Sequence, residues 1–225
     1  IINHSASFAT NESTFTRRVL AAFADQGKAT PTYARYMQLV HTQTDIQHHL
    51  PLLYALAKGN VVELGTRGGV STMALLAGVE AHGGQVWSVD IEDCSKVAEG
   101  HPLWTFQRGS STDVLLEGVL RTDIAIMSGV EGIDLLFIDT EHRFEQTRAE
   151  LVLWGDQVRP GGHILLHDPE TFPGVRRAAQ EFADAHGWPI TFVLPCHGMA
   201  IIEVPHYPEP VGVSLEGASW AMEET

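Results

Sequence analysis

Cysteine is scarce in this chain: only two occur among 225 residues, Cys94 and Cys196, far apart and without metal-type spacing. That argues against a disulfide framework and makes a reducing cytoplasm the expected compartment. Long apolar runs are missing too, the longest being strand-sized, so no membrane span is expected, and nothing at the start reads as a signal peptide. Basic residues are few, 14 Lys and Arg against 28 Asp and Glu, for a net charge of −14. So acidic a surface disfavours sequence-independent binding to nucleic acid, whose phosphates demand a basic face. Internal repeats and a second domain are also not evident. The 44% of hydrophobic residues suffices for one large domain with a sizeable core.

Residues 1–30 are polar and weakly patterned apart from a short amphipathic piece, TRRVLAAFADQ; a second helical piece is predicted over about 43–58, ending at Gly59. The pattern then changes. NVVEL (60–64), QVWSVD (85–90), LWTFQRG (103–109), DLLFID (134–139) and GGHILLHD (161–168) are short runs rich in branched and aromatic residues. Helical patterns lie between them at about 70–81, 111–120, 143–158 and 174–186. Strands alternating with helices at this spacing predict an α/β, doubly wound parallel sheet covered on both faces. Two last strands, WPITFVLP and GMAIIEV, are separated only by CHG, a link too short for a crossover, so the final strand should run antiparallel. Residues 204–225 read as a loosely held tail. The division expected is a helical extension over 1–58, a core over 59–203 and that tail.

The segment VVELGTRGGVSTMALLAG runs from a strand through a glycine-bearing turn into a helix. Gly65, Gly68 and Gly69 permit close approach of backbone to a ligand, and a helix N-terminus offers unpaired N–H groups to an anion. The spacing is G-x-x-G-G rather than GxGxxG, so a small anion such as an amino-acid carboxylate suits it better than a dinucleotide pyrophosphate, with Ser71 as an extra hydroxyl. The second strand ends in Asp90, where an acid commonly accepts hydrogen bonds from ribose hydroxyls. The third ends in RGSSTD, small polar residues suited to lie along an adenine or to cap a helix. Each feature alone reads as a turn or a cap; in order at successive strand ends they favour a nucleoside site.

Taken together, VVELGTRGGVST, VWSVD, GSSTD and the run from DLLFIDTEHRFEQ to PGGHILLHD resemble the class I S-adenosylmethionine-dependent methyltransferases. Within them the chain is most similar to bacterial small-molecule enzymes such as the macrocin-type sugar O-methyltransferases and the cephalosporin-hydroxylase-like proteins. The resemblance covers about 43–203 and implies a Rossmann-like, seven-stranded sheet. It implies a cofactor set of Glu63, Gly65, Thr66, Gly69, Ser71, Asp90 and Ser111, with Glu63 and Gly65 along the methionine part and Asp90 at the ribose.

Two strands that both end in carboxylate and imidazole call for a further account. Neighbouring strand ends bring Asp139 and Asp168 close, where two unpaired carboxylates repel unless something positive stands between them. A divalent cation such as Mg²⁺ is the economical answer. In related metal-dependent methyltransferases one acid after the fourth strand and two polar residues after the fifth hold the ion, which implies Asp139, His167 and Asp168 here. A His in the middle position, where the family has Asp or Glu, leans toward Mn²⁺ or a softer ion. Strand alternation sends His167 and Asp168 to opposite faces unless the strand has ended by then. His142, three residues beyond Asp139, matches the proposed base of the sugar methyltransferases and suits proton abstraction at neutral pH; a helix-cap role is the plainer alternative. The expected function is metal-assisted O-methylation of a small hydroxylated acceptor, a sugar or other secondary metabolite, by an assembly of like chains. Rival readings are a metal-independent N- or C-methyltransferase, a non-catalytic cofactor-binding partner and, on the wrong loop spacing, a nicotinamide dehydrogenase.

Overall fold

Successive side chains of a strand point to opposite faces, and here each face finds its own core. Val61, Leu135, Phe137, Leu165 and Ile201 pack on one side of the sheet; Val62, Leu136, Ile138, Ile164, Leu166 and Ile202 pack on the other. Runs buried on both faces are what an interior parallel strand requires. The computed structural model describes residues 30–113 and 132–206. The amphipathic piece before residue 30, most of the helix expected over 111–120 and the tail beyond 206 lie outside them.

The strands are β1 (Gly59–Leu64), β2 (Gly84–Asp90), β3 (Trp104–Arg108), β4 (Ile133–Ile138), β5 (Val158–His167), β6 (Ile190–Val193) and β7 (Met199–Glu203). They form one seven-stranded sheet in the order β3-β2-β1-β4-β5-β7-β6. β1 to β5 pair in parallel, and β7 runs antiparallel to both β5 and β6. The expected class, a doubly wound Rossmann-like sheet with a final antiparallel strand, is therefore the one observed. The order reverses at β1, with β2 on one side and β4 on the other, and such a switch point opens a crevice beyond the carboxyl ends of the strands.

Among the described residues five helices cover the sheet: α1 (Pro31–Val40), α2 (Leu50–Leu56), α3 (Val70–His82), α4 (Phe144–Trp154) and α5 (Pro173–His186). α1, α2 and α3 share the first core through Tyr36, Leu53 and Leu75; α4 and α5 share the second through Leu151, Trp154 and Ala179. Among the described residues no helix is long and apolar enough to cross a membrane. The N-terminal extension differs from expectation. α1 is an additional helix, capped by the Thr30 side chain accepting from Tyr33 N and opened by Pro31, as prolines favour. The segment expected as one helix over 43–58 is helical only from Leu50, after a single 3₁₀ turn at Gln47–His49.

α2 and α3 cross so closely that Gly78 has no room for a side chain: a Cβ there would lie 2.5 Å from the Tyr54 carbonyl oxygen and 2.6 Å from the Ala57 Cβ. Alanine normally gains about 1 kcal/mol over glycine inside a helix, but forcing backbone apart costs about 1–3 kcal/mol. Gly78→Ala should thus lower the urea midpoint; a midpoint at or above that of the wild type would mean that the two helices are less tightly apposed.

Candidate active site

The turn after β1 is shaped first by backbone crowding. Gly65 sits at φ +94°, and a Cβ on it would strike the carbonyl oxygen of Asp139, because the ends of β1 and β4 meet there: Asp139 N donates to Leu64 O at 2.8 Å. Gly69, the N-cap of α3, has φ +76°, and a Cβ on it would strike Val97. Asp90 then braces the turn. Its Oδ2 accepts from Thr66 N at 2.8 Å and Arg67 N at 2.9 Å, and its Oδ1 from Glu92 N at 2.9 Å. Burial alone would raise the Asp90 carboxyl, yet these backbone donors outweigh it and hold the group below its ordinary value.

Beyond the strand ends lies a cleft of about 700 Å³, whose lining includes Gly65, Gly68, Asp90, Ile91, Ser110, Ser111, Gln146 and Asp139. Gly65, Asp90 and Ser111 of the expected cofactor set thus face one space. Glu63, Thr66, Gly69 and Ser71 stand behind its wall, which differs from the expectation for Glu63 and Ser71 in particular. Glu63 is 0% exposed; it accepts from Ser71 Oγ at 2.6 Å, Thr72 Oγ1 at 2.8 Å and Ser88 Oγ at 2.6 Å. The physical reason is register. Glu63 points into the packing between β1 and the start of α3, where only a carboxylate ringed by donors is tolerated, and burial still pushes its pKa up to about 7.

The second half of the site gathers where β4 and β5 end side by side, paired through Ile138 and Leu166. β5 stops at His167, and Asp168 takes φ +71°, a left-handed turn that breaks strand alternation. That break lets both residues reach the same point. His142 Nε2 lies 3.3 Å from Asp139 Oδ1 and 2.8 Å from Asp168 Oδ2; His167 Nδ1 lies 3.6 Å from Asp139 Oδ1 and 3.2 Å from Asp168 Oδ1. His167 Nε2 donates to the Cys196 carbonyl at 3.1 Å, so Nδ1 is left facing the acids, a donor when the ring is protonated and a lone pair when it is neutral. His167 Nδ1 and Asp168 Oδ1 are both buried without a hydrogen-bond partner. Burial would raise the Asp139 carboxyl, but the two imidazoles hold it below the usual carboxylate range. Among the described residues Asp139, His142 and Asp168 form a group of possible metal ligands, their atoms within 4.8 Å of one another. His167, expected as a ligand, stands directly behind that trio, its side chain 1% exposed against 25% for His142.

Residues 62–169, from β1 to just past β5, match the family profile described as a methyltransferase domain. This segment resembles a methyltransferase domain. Its fold is similar to that of an O-methyltransferase from Bacillus cereus solved with SAH, at 17% identity and a TM-score of 0.56, covering 84% of this chain and 98% of that one. It is similar also to the O-methyltransferase NovP, at 14% identity and a TM-score of 0.56, over 71% of this chain and 81% of that one. A third likeness is to MycE of the mycinamycin biosynthetic pathway, solved with Mg and SAH, at 18% identity and a TM-score of 0.50, over 90% of this chain but 57% of that one. A comparison with curated protein sequences gives no significant match.

Several parts of the site were not read from sequence. Phe172 stacks on the His142 ring at 4.3 Å and 14°, and His49 Nε2 donates to the Pro195 carbonyl at 2.6 Å, its ring edge-on to that of His167 at 5.7 Å. The sequence signal for Phe172 was only its place before Pro173 at the start of a helix. The charge balance is measurable. Hydrogen bonds to Asp139 and Asp168 raise His142 from 6.5 to about 9. A raised pKa in the folded state gives stabilisation that is complete below pH 6.5 and lost as pH climbs through about 9. In EDTA, thermal unfolding of the wild type should therefore lose more stability across that window than His142→Gln does. Parallel curves would show that no charged imidazole faces the acids.

Proposed function

We propose that the protein is an O-methyltransferase that moves a methyl group from S-adenosylmethionine to a hydroxyl on a small molecule, a sugar or another secondary metabolite, with help from a divalent cation. One observation carries this reading: Asp139 lines the nucleoside-sized cleft and is also a member of the acid–imidazole cluster. A donor in that cleft would have its reactive end beside a group able to take a proton. The cleft wall also suits a cation. Among the described residues Asp90, Glu92, Asp139 and Glu141 line it against one basic group, Arg67, which favours a sulfonium and disfavours the pyrophosphate of a dinucleotide.

In this reading Asp90 receives the ribose hydroxyls while keeping the turn after β1 in shape, and Gly65 and Gly68 let backbone approach the methionine part. Asp139, Asp168 and His167 fit a hard or borderline cation. The buried atoms His167 Nδ1 and Asp168 Oδ1 lie 3.2 Å apart with no hydrogen bond between them, and a cation there would serve both. Bound there, a divalent cation would balance the carboxylates, bring His142 back toward neutrality and acidify the acceptor hydroxyl. His142, the more exposed imidazole, serves as the base. S-adenosylmethionine, when bound, would supply the methyl group and leave as a neutral thioether, and the hydroxyl proton of the acceptor would pass to His142. Phe172 and the adjacent carboxylates fix that ring, so orientation rather than covalent chemistry is the chain's contribution.

Calorimetry should detect S-adenosylhomocysteine, and Asp90→Ala should weaken it at least about tenfold, equivalent to about 1.4 kcal/mol; a protein that binds NAD and ignores S-adenosylhomocysteine would overturn the reading. Methyl transfer to a panel of hydroxylated acceptors should stop in EDTA and resume with Mg²⁺ or Mn²⁺, and activity that persists in chelator would remove the metal from the account. His142→Ala should cut turnover about 10²–10⁴-fold with S-adenosylhomocysteine affinity intact. Should the same variant lose metal affinity, His142 is a ligand and not the base.

A further inference from the structure

Glu150 lies on α4 behind the cleft, 0% exposed, and takes no part in the chemistry above. Three side chains converge on it. Ser111 Oγ donates to its Oε1 at 2.6 Å, Gln146 Nε2 donates to the same oxygen at 3.0 Å, and Thr140 Oγ1 donates to Oε2 at 2.8 Å. They come from three segments, following β3, following β4 and within α4, and all three line the cleft. Gln146 Nε2 also donates to Ser111 Oγ at 3.1 Å.

An ionised carboxylate can only accept hydrogen bonds, so every partner must turn a hydrogen toward it. Ser111 and Thr140 own one hydroxyl hydrogen each. Given to Glu150, it leaves those oxygens with nothing but lone pairs for any other neighbour. Gln146 directs both amide hydrogens inward, to Glu150 and Ser111, so its remaining capacity is the carbonyl oxygen. Flipping that amide would set the carbonyl oxygen against a buried carboxylate, an arrangement with no compensating donor. One buried acid therefore fixes the hydrogen-bond polarity of this whole stretch of wall.

We propose that Glu150 is a positioning residue that makes this wall of the cleft a set of acceptors, and so selects a nucleobase that presents an amino group, as adenine does, over one that presents a carbonyl, as hypoxanthine does. The inference rests on the reading of the cleft as a nucleoside site. A carbonyl brought against lone pairs is left unpaired as it is desolvated, and sites built around a specific hydrogen bond discriminate strongly on that ground.

The test is calorimetric titration of the full chain with S-adenosylhomocysteine and with S-inosylhomocysteine. The wild type should bind the adenosyl compound about tenfold more tightly or better. Glu150→Gln supplies an amide that donates, frees the surrounding hydroxyls to turn, and should bring the ratio of the two affinities toward one. Ser111→Ala removes an acceptor from the wall while Gln146 and Thr140 still donate to the buried acid, and should also lower the ratio; it decides the matter if Glu150→Gln does not fold. A merely structural Glu150 would weaken both ligands alike and leave the ratio unchanged, as would a wild type with no preference, and either result overturns the inference while the nucleoside reading stands. Failure of the wild type to bind either compound overturns the nucleoside reading itself.

Discussion

Two carboxylates at the ends of adjacent parallel strands cannot both stay ionised in a half-buried site unless positive charge stands between them. Asp139 and Asp168 impose that condition, and much of the architecture around them answers it. His142 arrives from the turn into α4, and His167 from the last position of β5. The remaining nitrogen of His167 is tied to the Cys196 carbonyl, and His49, just before α2, is tied to the neighbouring Pro195 carbonyl. The β6–β7 turn and the start of α2 are thus held through the same pair of imidazoles. On the opposite side the backbone of Asp139 is bonded to Leu64 and crowded against Gly65, so the glycine turn inherits its position from the acid cluster.

Charge arithmetic explains why such a cluster can serve more than one state. Two protonated imidazoles and one divalent cation contribute the same +2 against the two carboxylates. Burial opposes protonating His167, yet contact with Asp139 and Asp168 raises it all the same, and His142 is raised further by both acids. On the proposed reading, metal uptake would therefore displace protons, making affinity depend on pH as it does wherever ligands must be deprotonated. The same exchange would return His142 to the range in which a base works best.

How much of this was legible in one dimension follows from the range of each interaction. β1, β2, β4 and β5 announced themselves because a strand buried on both faces must be apolar at most positions. α1 did not, since its evidence in sequence is a single Thr30-Pro31 start. The helix expected over 43–58 was too long because the histidines and apolar residues of 45–50 fit a helical period, while the chain there makes only one 3₁₀ turn before Pro51. Asp90, Asp139, His142 and Asp168 stood out as polar residues at the ends of apolar strands. What Glu63 and Glu150 do could not be read, because all their partners but Gln146 lie 8 to 39 positions away and are plain serines and threonines. Nothing local marks a hydroxyl that faces a buried acid.

These partnerships sort five acids at and behind the cleft by the kind of donor each receives. Asp90 takes backbone N–H groups and shapes a turn; Glu63 and Glu150 take neutral side chains and shape walls; of these five, Asp139 and Asp168 alone take groups that can carry full charge. Backbone amides cannot leave, and a hydroxyl given to a buried carboxylate leaves only at the cost of an unsatisfied acid. Those partnerships are fixed. An imidazole can hand over its proton and keep its place, so the Asp139–Asp168 pair is the point where the balance can change without the scaffold moving. The rigid carboxylates frame the cleft, and the one exchangeable balance sits at its edge, which is where a reaction that must release a proton needs it.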